Sequence, residues 1–218
     1  MSFSELEAFL ARHGDAFRLA ISGGANAEAL PAMDSWIRVI LEPLRRERVL
    51  VITGGTRDGV PGIAAHVARR ELGMPLLGVL PARGRRYAAE EFIDPNYSGS
   101  ELTCLVEVPA LFGASMWGDE SSLFVRLADA ILVLDGEWGT TVEVALAMKA
   151  NSGRVKNGEP PIRIVPVDAF PGPAQVLANA PWMTDAVRQG ALPPRPLLTP
   201  ADVAGYLLGL LTKPRHRP

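Results

Sequence analysis

Apolar residues fall in short, dense blocks along this chain, at Phe17–Ser22, Val49–Thr53, Pro75–Leu80, Thr103–Val108, Ala130–Leu134 and Ile162–Val167. None alternates strictly with polar residues. Strands buried on both faces read this way, as in a parallel sheet covered by helices. Between the blocks lie segments with helical spacing, at Met33–Arg48, Val60–Leu72, Leu123–Asp129, Thr140–Ala150, Pro173–Gln189 and Pro200–Leu211. Strand and helix alternate nearly throughout. The pattern predicts an α/β fold, a Rossmann-like, doubly wound and mostly parallel sheet with helices on both faces, in one domain spanning 1–218. Ala82–Gly118 reads as a long irregular insertion, and segments of that length are usually functional.

In open parallel sheets, ligands bind beyond the carboxyl ends of the strands. Three such ends are polar or glycine-rich: "SGGAN" (Ser22–Asn26), "TGGTRDGVPG" (Thr53–Gly62) and "DGEWGTTVE" (Asp135–Glu143). Gly54, Gly55, Gly59 and Gly62 crowd nine positions at a seam between strand and helix. A tight turn explains one or two of them. A phosphate explains more, because glycine lets an anion approach backbone amides at a helix amino terminus. The candidate phosphate residues are Ser22, Gly23, Gly24, Gly54, Gly55, Thr56, Gly59, Gly136, Gly139, Thr140 and Thr141. In the third segment Gly139 is expected to open the helix, with Thr140 or Thr141 as its cap. Glu143, three residues after Thr140, suits a capping box or a carboxylate turned to a ligand. The spacing fits neither the dinucleotide fingerprint nor a Walker loop.

Arg57, Arg83, Arg85 and Arg86 are candidate counter-charges, or solvated loop residues. Trp117 and Trp138 flank the proposed site at the third strand end, where each could stack on a ring or simply pack. His13, His66 and His216 have no metal-ligand spacing, so no metal or cofactor is expected. Formal net charge is -2 with mixed signs, which speaks against a nucleic-acid binder. No apolar run reaches the ~20 residues of a membrane helix. "MSFSELEAFLARHG" lacks a basic signal-peptide region. The one cysteine, Cys104, excludes an internal disulfide framework, so a cytoplasmic location is expected.

Two stretches carry a family likeness. "VLVITGGTRDGVPGIAAHVARRELGMPLLGVLP" resembles the strand, glycine-rich helix and G-V-I-P strand of the Lonely Guy proteins, long described as lysine decarboxylase-like. "LADAILVLDGEWGTTVEVALAMK" resembles their A-D-A strand and P-G-G-x-G-T-x-x-E motif. "PPIRIVPVDAF" and "AVRQGAL" extend the likeness, which runs from about Phe17 to Leu211. The resemblance implies a Rossmann-like nucleotide-binding fold of the wider SLOG superfamily, which also contains molybdenum-cofactor carriers. It implies a homodimer and, in the enzymes, cleavage of nucleoside 5′-monophosphates to base and ribose 5-phosphate. Their catalytic pair is an arginine and the motif glutamate. Glu143 matches the glutamate. Glu120 falls near the arginine's place, while Asp135, Glu137 and Val144 replace the motif's leading proline, second glycine and following glutamate.

Missing the arginine, the site loses charge that would hold a phosphate or assist a departing base. The reading that follows is a protein that binds or senses a phosphate-bearing nucleoside derivative, of nucleotide or ADP-ribose type. Alternatives are a diverged phosphoribohydrolase using Glu143, a molybdopterin-cofactor carrier, and an assembly subunit with a decayed site. The expected partners are a nucleotide-type small molecule and a second copy of the chain, without nucleic acid or membrane.

Overall fold

The computed structural model describes residues 3–24, 29–170, 172, 176–177, 180–181 and 183–212. Its strands are β1 (Phe17–Gly23), β2 (Val49–Thr53), β3 (Leu76–Pro81), β4 (Thr103–Val108), β5 (Ala130–Leu134) and β6 (Arg163–Pro166). They form one sheet in the order β4-β3-β2-β1-β5-β6, and every pairing is parallel. The expected fold class is therefore observed, with a sheet parallel throughout.

The helices are α1 (Phe3–Arg12), α2 (Leu30–Leu44), α3 (Gly59–His66), α4 (Glu90–Ile93), α5 (Ser121–Leu127), α6 (Trp138–Lys156), α7 (Asp185–Ala191) and α8 (Pro200–Leu211). Alternate strand residues feed two cores. Leu19, Ile21 and Val51 pack with α2, α3 and α8 on one face. Ala20, Leu50 and Ile52 pack with α1, α5 and α6 on the other. This two-sided burial is why the strands show no polar alternation. α8 begins with a full capping box, in which Thr199 and Asp202 exchange hydrogen bonds ahead of Pro200.

Several boundaries differ from expectation. α1 was not anticipated, although Leu6 and Phe9 bury on one side of it. α3 does not continue as an α-helix to Leu72 but passes into a π-helical turn at Val67–Glu71. α2 ends at Leu44, just past Pro43, rather than at Arg48. Of the helix expected at Pro173–Gln189, positions 173–175, 178–179 and 182 lie outside the described residues, and α7 starts at Asp185. Ala82–Gly118 is less irregular than expected. It holds a 3₁₀ turn at Ala82–Tyr87, α4 and the edge strand β4.

The chain winds outward from β1 through β2 and β3 to β4, then crosses back to β5 on the other side of β1. The strand order thus reverses between β1 and β5, where Gly23 and Leu134 lie side by side at the strand ends. Beyond them opens the crevice in which doubly wound sheets place ligands.

Candidate functional site

Ser22 is the last polar side chain of β1 and shares a face with Ala20, towards α6. It is buried, and its hydroxyl donates to the Oε2 of Glu143. Glu143 sits in the second turn of α6, so this bond ties β1 to the helix that follows β5. Burial pushes the Glu143 carboxyl up to about 7, opposed by the Ser22 bond and reinforced by the negative charge of Glu120. Glu120 is itself pushed up, first by desolvation. Its carboxylate accepts from the Gly118 amide at 2.9 Å, just ahead of α5, and α5 packs on α6. Glu120, at the residue before α5, is thus one of the charges that raise the Glu143 carboxyl.

At the end of β5 the backbone turns sharply. Asp135 has φ 57°, the only non-glycine in the left-handed region among the described residues, and Gly136 follows at φ 120°. Such a conformation in a non-glycine residue is costly and concentrates at functional sites. Asp135 lies between two glycines. A Cβ on Gly24 would stand 3.1 Å from the Gly136 Cα, and one on Gly172 would stand 3.2 Å from Asp135 Oδ1. Glycine at these two positions lets the neighbouring backbones pack closely against the turn.

α6 opens at Trp138, two residues before the expected start. Thr141 does not cap it: both its amide and its hydroxyl bond the Glu137 carbonyl, at 3.0 and 2.7 Å. Thr140 is buried against Gly136. The amides of Trp138, Gly139 and Thr140 precede the first helical hydrogen bond and point to the crevice end of the helix. Glu143 makes no capping box, because its carboxylate turns across to Ser22.

The glycines after β2 divide their duties. Gly55 has φ 72° and faces Leu80 and Leu105, while its amide already bonds Thr53 Oγ1 at 3.2 Å. It belongs to the apolar wall rather than to an open anion cradle. Gly59 starts α3, and Gly62 lets the Arg57 carbonyl approach that helix. Gly54 has only the Pro61 ring near its missing Cβ. Thr56 pairs with Ala88 and the Arg57 amide bonds the Tyr87 carbonyl at 2.8 Å, so the glycine loop is clamped to the 3₁₀ turn. The Gly24 carbonyl accepts from the Val60 amide at 3.0 Å, joining that loop to the crevice. Ala25 and Asn26 of the first segment lie outside the described residues.

The model of the SLOG cluster4 family matches residues 20–155, from β1 to the end of α6. The chain belongs to this family. The match spans the three glycine-rich strand ends and agrees with the wider superfamily anticipated from the motifs. A search among curated proteins finds no significant match. Solved structures share the fold. The molybdenum cofactor binding protein of Rippkaea orientalis superimposes with a TM-score of 0.58 at 18% identity, covering 90% of this chain and 98% of that one. The molybdenum cofactor carrier protein of Chlamydomonas reinhardtii gives 0.59 at 16%, covering 91% and 99%.

The arginines of this SLOG member separate. Arg85 pairs with Glu107 at 3.1 Å. Arg57, Arg83 and Arg86 are exposed and form no ion pair among the described residues. The Arg83 guanidinium lies 5.9 Å from the Trp117 ring centre and that of Arg86 4.8 Å from Tyr87. Trp117 packs on Gly84 and Tyr87, so the 3₁₀ turn, its arginines and the tryptophan form one unit. Trp138 is 81% exposed at the head of α6. His66 lies 3.5 Å from both Glu71 and Glu91, in an ion-pair cluster away from the crevice. Cys104 is buried, which pushes its thiol up to about 12 and leaves it unreactive. Among the described residues no cluster could hold a metal ion, and no helix is long and apolar enough to cross a membrane.

Proposed function

We propose that the crevice between the ends of β1 and β5 binds a phosphate-bearing nucleoside-type derivative, and that the protein acts as a binding or sensing protein. The observation that carries this reading is the Ser22–Glu143 bond across the point where the strand order reverses, beside the left-handed turn at Asp135 and Gly136. Where the Lonely Guy enzymes put an arginine, this chain puts a second carboxylate, and its charge raises the Glu143 carboxyl. A phosphoribohydrolase needs positive charge to steady phosphate and departing base, and these carboxylates supply the opposite sign. Gly24, Gly136 and Ser22, with Gly23 behind them, shape the crevice. In this reading Gly54, Thr56 and the start of α3 bound the ligand on the β2 side, and Gly139, Thr140 and Thr141 bound it on the β5 side.

The structural neighbours support a carrier version of the same reading, with a molybdenum cofactor as cargo, because the two proteins named above bind or carry that cofactor. A diverged hydrolase is the second reading. It is favoured by Glu143, whose carboxyl holds its proton near neutrality as a general acid must. Incubation with adenosine 5′-monophosphate separates them: a binding protein releases no adenine above the uncatalysed rate. We also propose a homodimer in the cytoplasm. Trp138 and Val142 leave an apolar stripe exposed on α6, one turn apart, which a second copy would cover.

A further inference from the structure

One face of α6 is uncovered along its whole length. Trp138, Val142, Ala145, Lys149, Ser152 and Lys156 are all exposed, and they recur at alternating intervals of four and three residues. That is the spacing of a seam along which two helices pack on each other. Glu143 turns the other way, to Ser22. Ala145 and Ser152 are small enough to let a second helix approach closely.

The two halves of this face are unlike. Trp138 stands at the head with its ring mostly exposed. Further along, where α7 packs on α6, lies a cavity of about 300 Å³. Ala145, Met148, Lys149 and Ser152 line it from α6, and Met183 and Val187 from the side of α7. Thioethers and an aliphatic wall suit an aromatic ring. The volume lies at the lower end for small-molecule sites and is ample for one indole.

Charge changes sign along the same helix. Asp135 and Glu137 precede Trp138, while Lys149, Arg154 and Lys156 lie in the second half. Arg154 is engaged, donating to the Pro160 carbonyl at 2.7 Å. Among the described residues Glu137 and Lys149 form no ion pair, and Asp185, which starts α7 beside the cavity, is not paired with Lys149. An acidic head and a basic tail on one seam favour an antiparallel partner that carries the same seam.

Resting on the reading of the protein as a homodimer, we infer that two copies pair α6 against α6 about a two-fold axis between Val142 and Ala145, each inserting Trp138 into the α6–α7 cavity of the other. The axis that sets Val142 opposite Ala145 of the partner subunit also sets Trp138 opposite Lys149 of the partner subunit. Trp138 and Lys149 lie about 16 Å apart along the helix, so one register satisfies both contacts without bending it. The indole covers the cavity's methionines and meets the lysine ammonium in a cation–π contact, while Glu137 comes beside the same lysine. Lys149 of the partner subunit thereby arrives at the crevice end of α6, and each ligand crevice borders the interface.

Sedimentation equilibrium of the full chain tests this. Trp138→Ala should raise the dimer dissociation constant about a hundredfold, because both anchors are lost. Ser152→Trp, which fills the cavity from its exposed rim, should do the same, and the two together should cost little more than either alone. Glu137→Lys and Lys149→Glu should each weaken the dimer about tenfold, and the double variant should regain wild-type affinity. A dimer untouched by Ser152→Trp, or charge reversals that add instead of cancelling, overturns this pairing and leaves a homodimer formed through another surface. A wild-type monomer overturns the homodimer and this pairing with it, and leaves the reading of the crevice intact.

Discussion

The Ser22 hydroxyl donates to the Glu143 carboxylate, joining the end of β1 to the second turn of α6 across the point where the strand order reverses. A donor to the ionised form lowers a carboxyl's affinity for its proton, while burial and the Glu120 charge raise it. Ser22→Ala should therefore push the Glu143 carboxyl further up, by about one unit for a charge-assisted bond of roughly 1.5 kcal/mol. Ser22→Thr should restore the native value. Carbon NMR of the Glu143 carboxyl against pH checks this, and a downward move in Ser22→Ala contradicts it.

The raised Glu143 carboxyl has a consequence for stability. Its ordinary value is 4.5 and its folded value about 7, so between these the native state binds more protons than the unfolded chain. Stability from this group is full below the ordinary value and is lost as pH rises through about 7. The loss is at most about 3 kcal/mol. Glu143→Gln removes the ionisation, so its melting temperature should exceed the wild type's by roughly 5–10 °C near pH 8 and match it near pH 4. Equal melting temperatures at the higher pH contradict the burial of this charge.

Much of this architecture was legible in the sequence. Six apolar blocks became six strands within one or two residues at their ends, because burial on both faces leaves no ambiguity of period. The three polar strand ends were legible too, since glycine clusters at strand-to-helix seams are rare without cause. What could not be read was which glycine serves the crevice and which serves packing. Gly54 and Gly55 look alike in sequence, yet Gly55 turns into Leu80 and Leu105. Gly55→Asp thus tests folding rather than binding. Glu143 also read equally as a cap, because its partner Ser22 lies 121 positions away. Asp135 departs from the motif's proline, and its left-handed backbone followed by Gly136 fits an Asp-Gly turn, a signal the motif comparison passed over.

Light scattering tests assembly. The exposed Trp138 and Val142 stripe predicts a dimer at micromolar concentration and a monomer in Trp138→Glu. A wild-type monomer contradicts the proposed partner surface.

Catalysis offers an independent check. Wild-type protein should release no adenine from adenosine 5′-monophosphate, because Glu120 falls near the place of the arginine that the Lonely Guy motif uses and brings the opposite charge. Rapid release that disappears in Glu143→Gln would establish the hydrolase reading instead.

The central claim is that the crevice holds a phosphate-bearing nucleoside-type derivative, and mass spectrometry of small molecules freed from the purified, denatured protein tests it most directly. Wild-type protein should release such a compound. Gly24→Leu, whose side chain would press on the Gly136 backbone and disturb the turn at Asp135, should release none while keeping the wild-type circular dichroism spectrum. A compound without phosphate, or the same compound in equal amount from folded Gly24→Leu, would contradict the account.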